Sequence, residues 1–339
     1  MENNELEENT TPIPAVVEPS HPVLDLEPLT AAVAAVRKSV SQYLVGQEHL
    51  VEMMMVGLFC NGHVLIEGVP GIAKTTAAKL LAASLDLNFG RVQFTPDLMP
   101  ADVTGTSMFS LKTNEFEFKK GPIFANIVLI DEINRSPAKT QAALFEVMEE
   151  GQVTVDGTTH PIPQPFMVLA TQNPIEQEGT YKLPEAQQDR FMMKLIVNYP
   201  DQEQEYGILK KFYSSNALQG LANMKAVLPA SEIQKVRKVI DEVHIDNSLL
   251  RYIAGVTAAT RNHRDLYLGA SPRASLAIMR TSKAIAAMNG RAYVTPDDIR
   301  FVTFSVLNHR LILTPESEMD GIEIKTVVED ILKTVEVPR

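Results

Sequence analysis

Apolar positions along the chain change their period twice. Over LTAAVAAVRKSVSQYLVGQEHLVEMMMVGLFCNG they recur every three to four residues, the spacing of an amphipathic helix. A break near Val45-Gly46 divides this stretch into two expected helices. From residue 63 the pattern shortens. HVLIE (63–67), RVQF (91–94), NIVLI (126–130), FMVLA (166–170) and MMKLIV (192–197) are brief apolar runs, as strands buried on both faces are. Helical patterns such as KTTAAKLLAASL and SPAKTQAALFEVMEE separate several of them. The second is expected to open with Ser136 as N-cap and Pro137 as its first helical residue. Buried strands alternating with helices predict a layered α/β domain on a mainly parallel sheet.

Two segments interrupt that alternation. Residues 94–124 read as a loop plus a hairpin turning at TNE, and GQVTVDGTTHPIP (151–163) reads as a second hairpin turning at Asp156-Gly157. His160 follows that turn alone and is not expected to be a ligand. Beyond NYPDQEQEYG the strand signals stop, and residues 200–339 read as an all-α domain. The boundaries are thus 28–199 for the α/β unit and 200–339 for the helical one. Residues 1–27 form a Pro-punctuated acidic leader, expected to be disordered and solvated.

Composition narrows the function classes. The net charge of −11 disfavours non-specific binding to nucleic acid, which needs clustered Lys and Arg. Cys60 is the sole cysteine, so no disulfide framework or thiolate metal site can be built; it is expected to be a buried core thiol. Residues 1–28 carry seven acids and no Lys or Arg, unlike a secretory signal. No apolar run approaches the roughly 20 residues that cross a bilayer. The expected location is the cytoplasm.

The chemistry concentrates in GVPGIAKT (68–75), which follows one apolar run and opens a helix near Lys74. That context marks a phosphate-binding loop, G-x-x-x-x-G-K-[ST], with alanine before the lysine. Main-chain amides and a helix N-terminus attract phosphate oxygens. Lys74 is expected at the β- and γ-phosphates of ATP and Thr75 at Mg²⁺. A negative φ is expected at Ala73, where a methyl group would cost little, whereas Gly68 and Gly71 are the residues expected to need unusual backbone angles. Four apolar residues then lead into Asp131-Glu132. Asp131 is suited to hold the magnesium shell, and Glu132 to take a proton from the attacking water. In FMVLATQNP, Asn173 either orients that water and touches the γ-phosphate or merely begins a turn. In LPEAQQDRF, Arg190 either stabilises charge during phosphoryl transfer or pairs with Asp189 or Glu185. In GASPRAS, Arg273 opens a helix of the second domain and could reach phosphates held between the domains.

In this order, GVPGIAKT, LIDEINRSP, ATQNPIEQEGTY with LPEAQQDRF, and SPRAS resemble the MoxR family of AAA+ ATPases over about residues 30–335. The resemblance implies a P-loop core with a five-stranded parallel sheet and a helical lid. It implies that Val45, Gly46 and Gln47 lie at the adenine, and that the loop Gly68, Val69, Pro70, Gly71, Ile72, Ala73, Lys74, Thr75 and Thr76 holds the phosphates. It implies Asn173 as first sensor, Arg190 as a finger completing a neighbour's site, and Arg273 as second sensor. It further implies a ring homo-oligomer, a hexamer, with ATP at subunit boundaries. The implied work is chaperone-like remodelling of client proteins with a partner bearing a von Willebrand factor A domain. The inserted hairpins are then either client contacts or decoration. Two other classes remain open on the residues: a nucleic-acid motor and a nucleotide-gated scaffold.

Overall fold

Leu29, Val33, Val36 and Val40 form one buried face of the first helix, and the cluster they enter extends through both halves of the chain. The computed structural model describes residues 24–174, 181, 183–214 and 226–338. The leader up to residue 23, segment 175–180 of the signature, and residues 215–225 lie outside them.

Helices α1 (Glu27–Ser41) and α2 (Glu48–Phe59) flank a turn at Gly46, whose φ of 74° is open to glycine. Then follow β1 (Val64–Gly68), α3 (Lys74–Ser84), β2 (Phe89–Gln93) and α4 (Pro100–Thr104). The first inserted hairpin is β3 (Gly105–Ser110) with β4 (Glu115–Lys120). Next come β5 (Ile127–Asp131), α5 (Ala138–Glu150), and the second hairpin, β6 (Gln152–Val155) with β7 (Thr158–Pro161). Asp156 and Gly157 both have positive φ, 49° and 76°, as the tight hairpin turn requires. His160 stacks on Phe118, with centroids 4.1 Å apart, and so joins the two hairpins. β8 (Met167–Gln172), α6 (Glu185–Gln188) and β9 (Met193–Val197) complete the core.

The five strands run parallel in the order β2-β5-β8-β1-β9. Alternation along them assigns two faces. Val64, Ile66, Ile127, Leu129, Met167 and Leu169 join the cluster containing α1, α2 and α3. Leu65, Val128, Ile130, Val168 and Ala170 join the cluster under α5. Because every strand is parallel, all five carboxyl ends lie at one edge of the core and all amino ends at the other.

Beyond the core follow α7 (Gln202–Ser214), α8 (Ala230–Glu242), α9 (Asn247–Arg261), β10 (Leu266–Leu268), α10 (Pro272–Met288), α11 (Pro296–Leu307), β11 (Ile312–Leu313), α12 (Pro315–Met319) and α13 (Ile324–Thr334), the stretch that holds the helical lid. Ile278, Ile299, Val302 and Val306 are fully buried in the same cluster as α1 and α2. Each such side chain stabilises by about 2 kcal/mol, against a few tenths for an exposed ion pair. Apolar packing therefore seats the lid. A polar seam sets its register: Asn308 Nδ2 donates to the Lys194 carbonyl of the edge strand β9 (2.9 Å), and His309 Nε2 and Arg310 Nη2 donate to the Phe191 carbonyl just before that strand (3.0 and 2.7 Å).

The lid is helical as expected, with one short antiparallel pair, β10 with β11, that the pattern did not predict. Two expectations are corrected. Pro137, with ψ of 152°, is the N-cap of α5 rather than its first helical residue; its carbonyl accepts from Thr140 and Gln141. Ser136 Oγ caps nothing and is buried without a partner among the described residues. Cys60 is half-buried at the end of α2, donating to the Arg280 carbonyl at 3.4 Å, and desolvation pushes its thiol up to about 12.

Candidate nucleotide site

The carboxyl ends of β1, β5 and β8 deliver the phosphate loop, Asp131-Glu132 and Asn173 to one cavity of about 340 Å³. Its lining includes Gly71, Lys74, Thr75, Asp131, Glu132 and Asn173. At Gly68 a side chain would meet the Val197 carbonyl at 2.6 Å, so the close approach of the loop to β9 requires glycine. Gly71 has φ of 85° and open space above it, where an anion can approach the main chain. Lys74 Nζ donates to the carbonyls of Gly68 and Val69. Burial lowers its pKa, and the charges of Asp131 and Glu132 oppose that shift.

Ala73 overturns the expected backbone. Its φ is 62°, left-handed, at the N-cap of α3. The loop must reverse sharply before the helix can begin at Lys74. The alanine methyl accepts that conformation at about 1 kcal/mol of strain.

The acidic pair is held from three sides. Arg91 Nε donates to Asp131 Oδ2 at 2.7 Å. Gln93 Nε2 donates to Glu132 Oε2 at 2.6 Å, and Arg135 Nε lies 3.2 Å from the same oxygen. Glu132 N donates to Thr171 Oγ1 at 3.0 Å. Glu132 itself has φ of 58°, so its carboxylate is turned out of the strand direction. Asp131 and Asn173 are each 8 % exposed.

Beside this cavity lies a second of about 440 Å³, which shares Pro70, Gly71, Ile72, Ala73 and Thr76 with it. Val45 and Gln47 line it with Tyr43, Leu209 and Phe212. A flat, mostly apolar heterocycle fits such walls. Gly46 faces away, against Gln204 of α7, where a Cβ would meet that side chain at 2.8 Å.

Arg190 and Arg273 stand elsewhere. Arg190 follows α6 and precedes β9, at the amino edge of the sheet. Its Nη2 pairs with Glu149 at 2.9 Å and its Nη1 donates to the Phe145 carbonyl at 3.0 Å, not to Asp189 or Glu185. Arg273, expected between the domains at the phosphates, lies with it: its Nη2 is 3.4 Å from Glu149 and its Nη1 3.8 Å from Asp189. Five-residue strands separate the two edges by about 16 Å. Neither arginine lines the phosphate cavity of its own chain.

The chain matches the model of the ATPase family associated with various cellular activities over residues 63–193, and the AAA lid domain model over 258–331. It is 43% identical to the uncharacterised protein YeaC of Bacillus subtilis, covering 93% of this chain and 96% of that one. It is also 43% identical to the chaperone MoxR1 of Mycobacterium tuberculosis, covering 88% of this chain and 81% of that one. A crystal structure described as a candidate ATPase of Cytophaga hutchinsonii superposes with a TM-score of 0.87 at 42% identity, covering 93% of this chain and 97% of that one. The chain belongs to the MoxR family of AAA+ ATPases.

For a MoxR-family chain the donor set fits magnesium. The Thr75 hydroxyl and the Asp131 carboxylate line one cavity, and both are hard oxygen ligands. No group of three or more His, Cys, Asp or Glu that could hold a metal occurs among the described residues. An ion here would therefore share its shell with phosphate and water, as magnesium does. Several lining residues went unread in the sequence. Arg91 and Gln93 lie on β2, and only the pairing of β2 with β5 brings them to the acids. Thr171 ends an apolar run, and only the pairing of β5 with β8 brings its hydroxyl to Glu132. Leu209 and Phe212 belong to the lid helix α7, far along the chain from the loop they face.

Proposed function

We propose that the chain is an ATPase that works as a ring of identical subunits, a hexamer, each lending Arg190 and Arg273 to the next subunit's nucleotide. One observation carries this reading. Lys74, Asp131, Glu132 and Asn173 gather at the carboxyl edge of the sheet, while both arginines stand at the amino edge. Among the described residues the arginines at the phosphate cradle, Arg91 and Arg135, are paired with its own acids, while Arg190 and Arg273 stand away from it.

In that assembly the loop amides and Lys74 bind the ATP phosphates, and the apolar cavity at Val45 and Gln47 takes the adenine. Magnesium, held by Thr75 and Asp131, would shield the phosphate charge. Glu132 accepts the proton of the attacking water, which Asn173 orients toward the γ-phosphorus. Gln93 and Arg135 aim that carboxylate, and Arg91 aims Asp131. The arginines stabilise charge on the departing phosphoryl group.

The work done is chaperone-like remodelling of client proteins, with a partner carrying a von Willebrand factor A domain, in the cytoplasm. The chaperone name of a 43%-identical relative supports the first part. The exposed Phe109, Leu111 and Phe116 on the β3–β4 hairpin offer apolar surface to a client. Among the described residues no helix is long and apolar enough to cross a membrane, which agrees with the location. The test is assembly and turnover together. With ATP and magnesium, sedimentation should show a ring, and turnover per subunit should rise with protein concentration. A chain that binds ATP yet stays monomeric and inert at every concentration overturns the proposal.

A further inference from the structure

The amino edge of the sheet carries a concavity of about 340 Å³ whose charge is unlike the rest of the molecule. Four guanidiniums, Arg190, Arg273, Arg280 and Arg310, face two carboxylates, Glu149 and Asp189. That leaves an excess of two positive charges in a chain whose net charge is −11. His63 also lines it but adds no charge near neutrality, because burial pushes its pKa down to about 4.

The four cations are not equivalent. Arg310 is buried and committed: its Nε donates to Asp189 Oδ1 at 2.7 Å and its Nη2 to the Phe191 carbonyl at 2.7 Å. Asp189 also accepts from Ser271 Oγ at 3.0 Å. Glu149 is shared between Arg190 and Arg273, and Arg273 has Asp189 as a more distant second partner at 3.8 Å. Arg280 is exposed and forms no ion pair among the described residues. It lies seven residues beyond Arg273 on α10, two turns on the same face and about 10 Å along the axis. Two long side chains so placed can converge on one ligand. A concave site with surplus guanidinium attracts a multiply charged oxyanion, whose oxygens match the planar forks.

We propose that Arg280 is a third guanidinium of this pocket and contacts, with Arg190 and Arg273, the terminal phosphates of the nucleotide held by the adjacent subunit. The inference rests on the ring reading above and adds a residue to it. Asp189 gives the arrangement its rigidity, since it ties Arg310, just beyond α11, and Ser271, the N-cap of α10, to the turn that leads into β9. Arg280 brings the charge that Glu149, shared between two partners, does not neutralise.

The test uses full-length Arg280→Ala, Arg190→Ala and Lys74→Ala, with rings verified by sedimentation. Arg280→Ala should lower turnover about tenfold or more, while a fluorescent ATP analogue binds its own loop as tightly as before. Mixing Arg280→Ala with Lys74→Ala subunits should restore turnover, because the first brings an intact cradle and the second an intact Arg280. Arg280→Lys should recover part of the loss. Unchanged turnover in Arg280→Ala beside a collapse in Arg190→Ala removes Arg280 and leaves the ring reading standing. Unchanged turnover in both variants removes the ring reading as well. A loss that mixing does not restore overturns the contact between subunits. Inorganic phosphate binding to the monomer that disappears in Arg280→Ala overturns it too, in favour of a free-anion site.

Discussion

Arg310 of the lid places its Nε 2.7 Å from Asp189 Oδ1, one residue before the arginine expected to serve a neighbour's nucleotide. The guanidinium also donates to main-chain carbonyls of Asp189 and Phe191 at 3.2 and 2.7 Å. Removing it takes the nearest cation from Asp189, which keeps Ser271 and the more distant Arg273, and strands several carbonyls. Arg310→Ala should therefore cost about 3 kcal/mol, visible as a lower midpoint in urea unfolding. Arg280→Ala, which breaks no such bond, should leave that midpoint within about 0.5 kcal/mol of the parent.

Glu132 is expected to act only on the attacking water. Glu132→Gln keeps the side chain's size and its contact with Arg135's neighbourhood while removing the base. Turnover should fall at least about a hundredfold with ATP still bound, measured by phosphate release and by retention of labelled nucleotide. Unchanged hydrolysis would remove Glu132 from the role of base.

Ala73 occupies a left-handed position that glycine accepts freely. Ala73→Gly relieves about 1 kcal/mol of strain, part of which is offset by greater freedom of the unfolded chain. The expected result is a melting temperature raised by about 1–2 °C, read by calorimetry. A lowered melting temperature would contradict a strained alanine.

His63 makes stability depend on pH. Its Nδ1 accepts from Val168 N at 3.0 Å, so its Nε2 carries the proton and donates to the Met148 carbonyl at 3.1 Å. A second proton would face an N–H group in a buried site. The folded pKa is about 4, against 6.5 for the free side chain. Between these values the unfolded chain binds the extra proton and the folded chain does not, so stability falls as pH drops from 6.5 to 4. The loss from this residue is about 3 kcal/mol. Burial shifts His309 in the same direction, reinforced by the charge of Arg310. Urea midpoints across that range should fall, and His63→Gln should flatten the slope.

The sequence disclosed what depends on local pattern. The five strands appear within one or two residues of their apolar runs, and the phosphate loop and acidic pair appear from residue type and position. What it hid depends on strand order and direction. Arg273 follows the lid signature, yet its place beside Arg190 is set by which edge of the sheet α10 approaches. Arg91 and Gln93 become partners of the acids only because β2 pairs with β5. β10 and β11 hold three and two residues, too few for an alternating pattern to register. The sign of φ at Ala73 follows from how the loop enters α3, which no side chain announces.

The seam of Asn308, His309 and Arg310 has a bearing on solubility. β9 ends the sheet, and an uncovered strand of this kind templates addition of foreign strands. By donating to the Lys194 carbonyl of β9 and to the Phe191 carbonyl just before it, the lid residues act as a guard against fibrous association. Substitutions there should favour aggregates that form by strand stacking, even where the nucleotide loop is untouched.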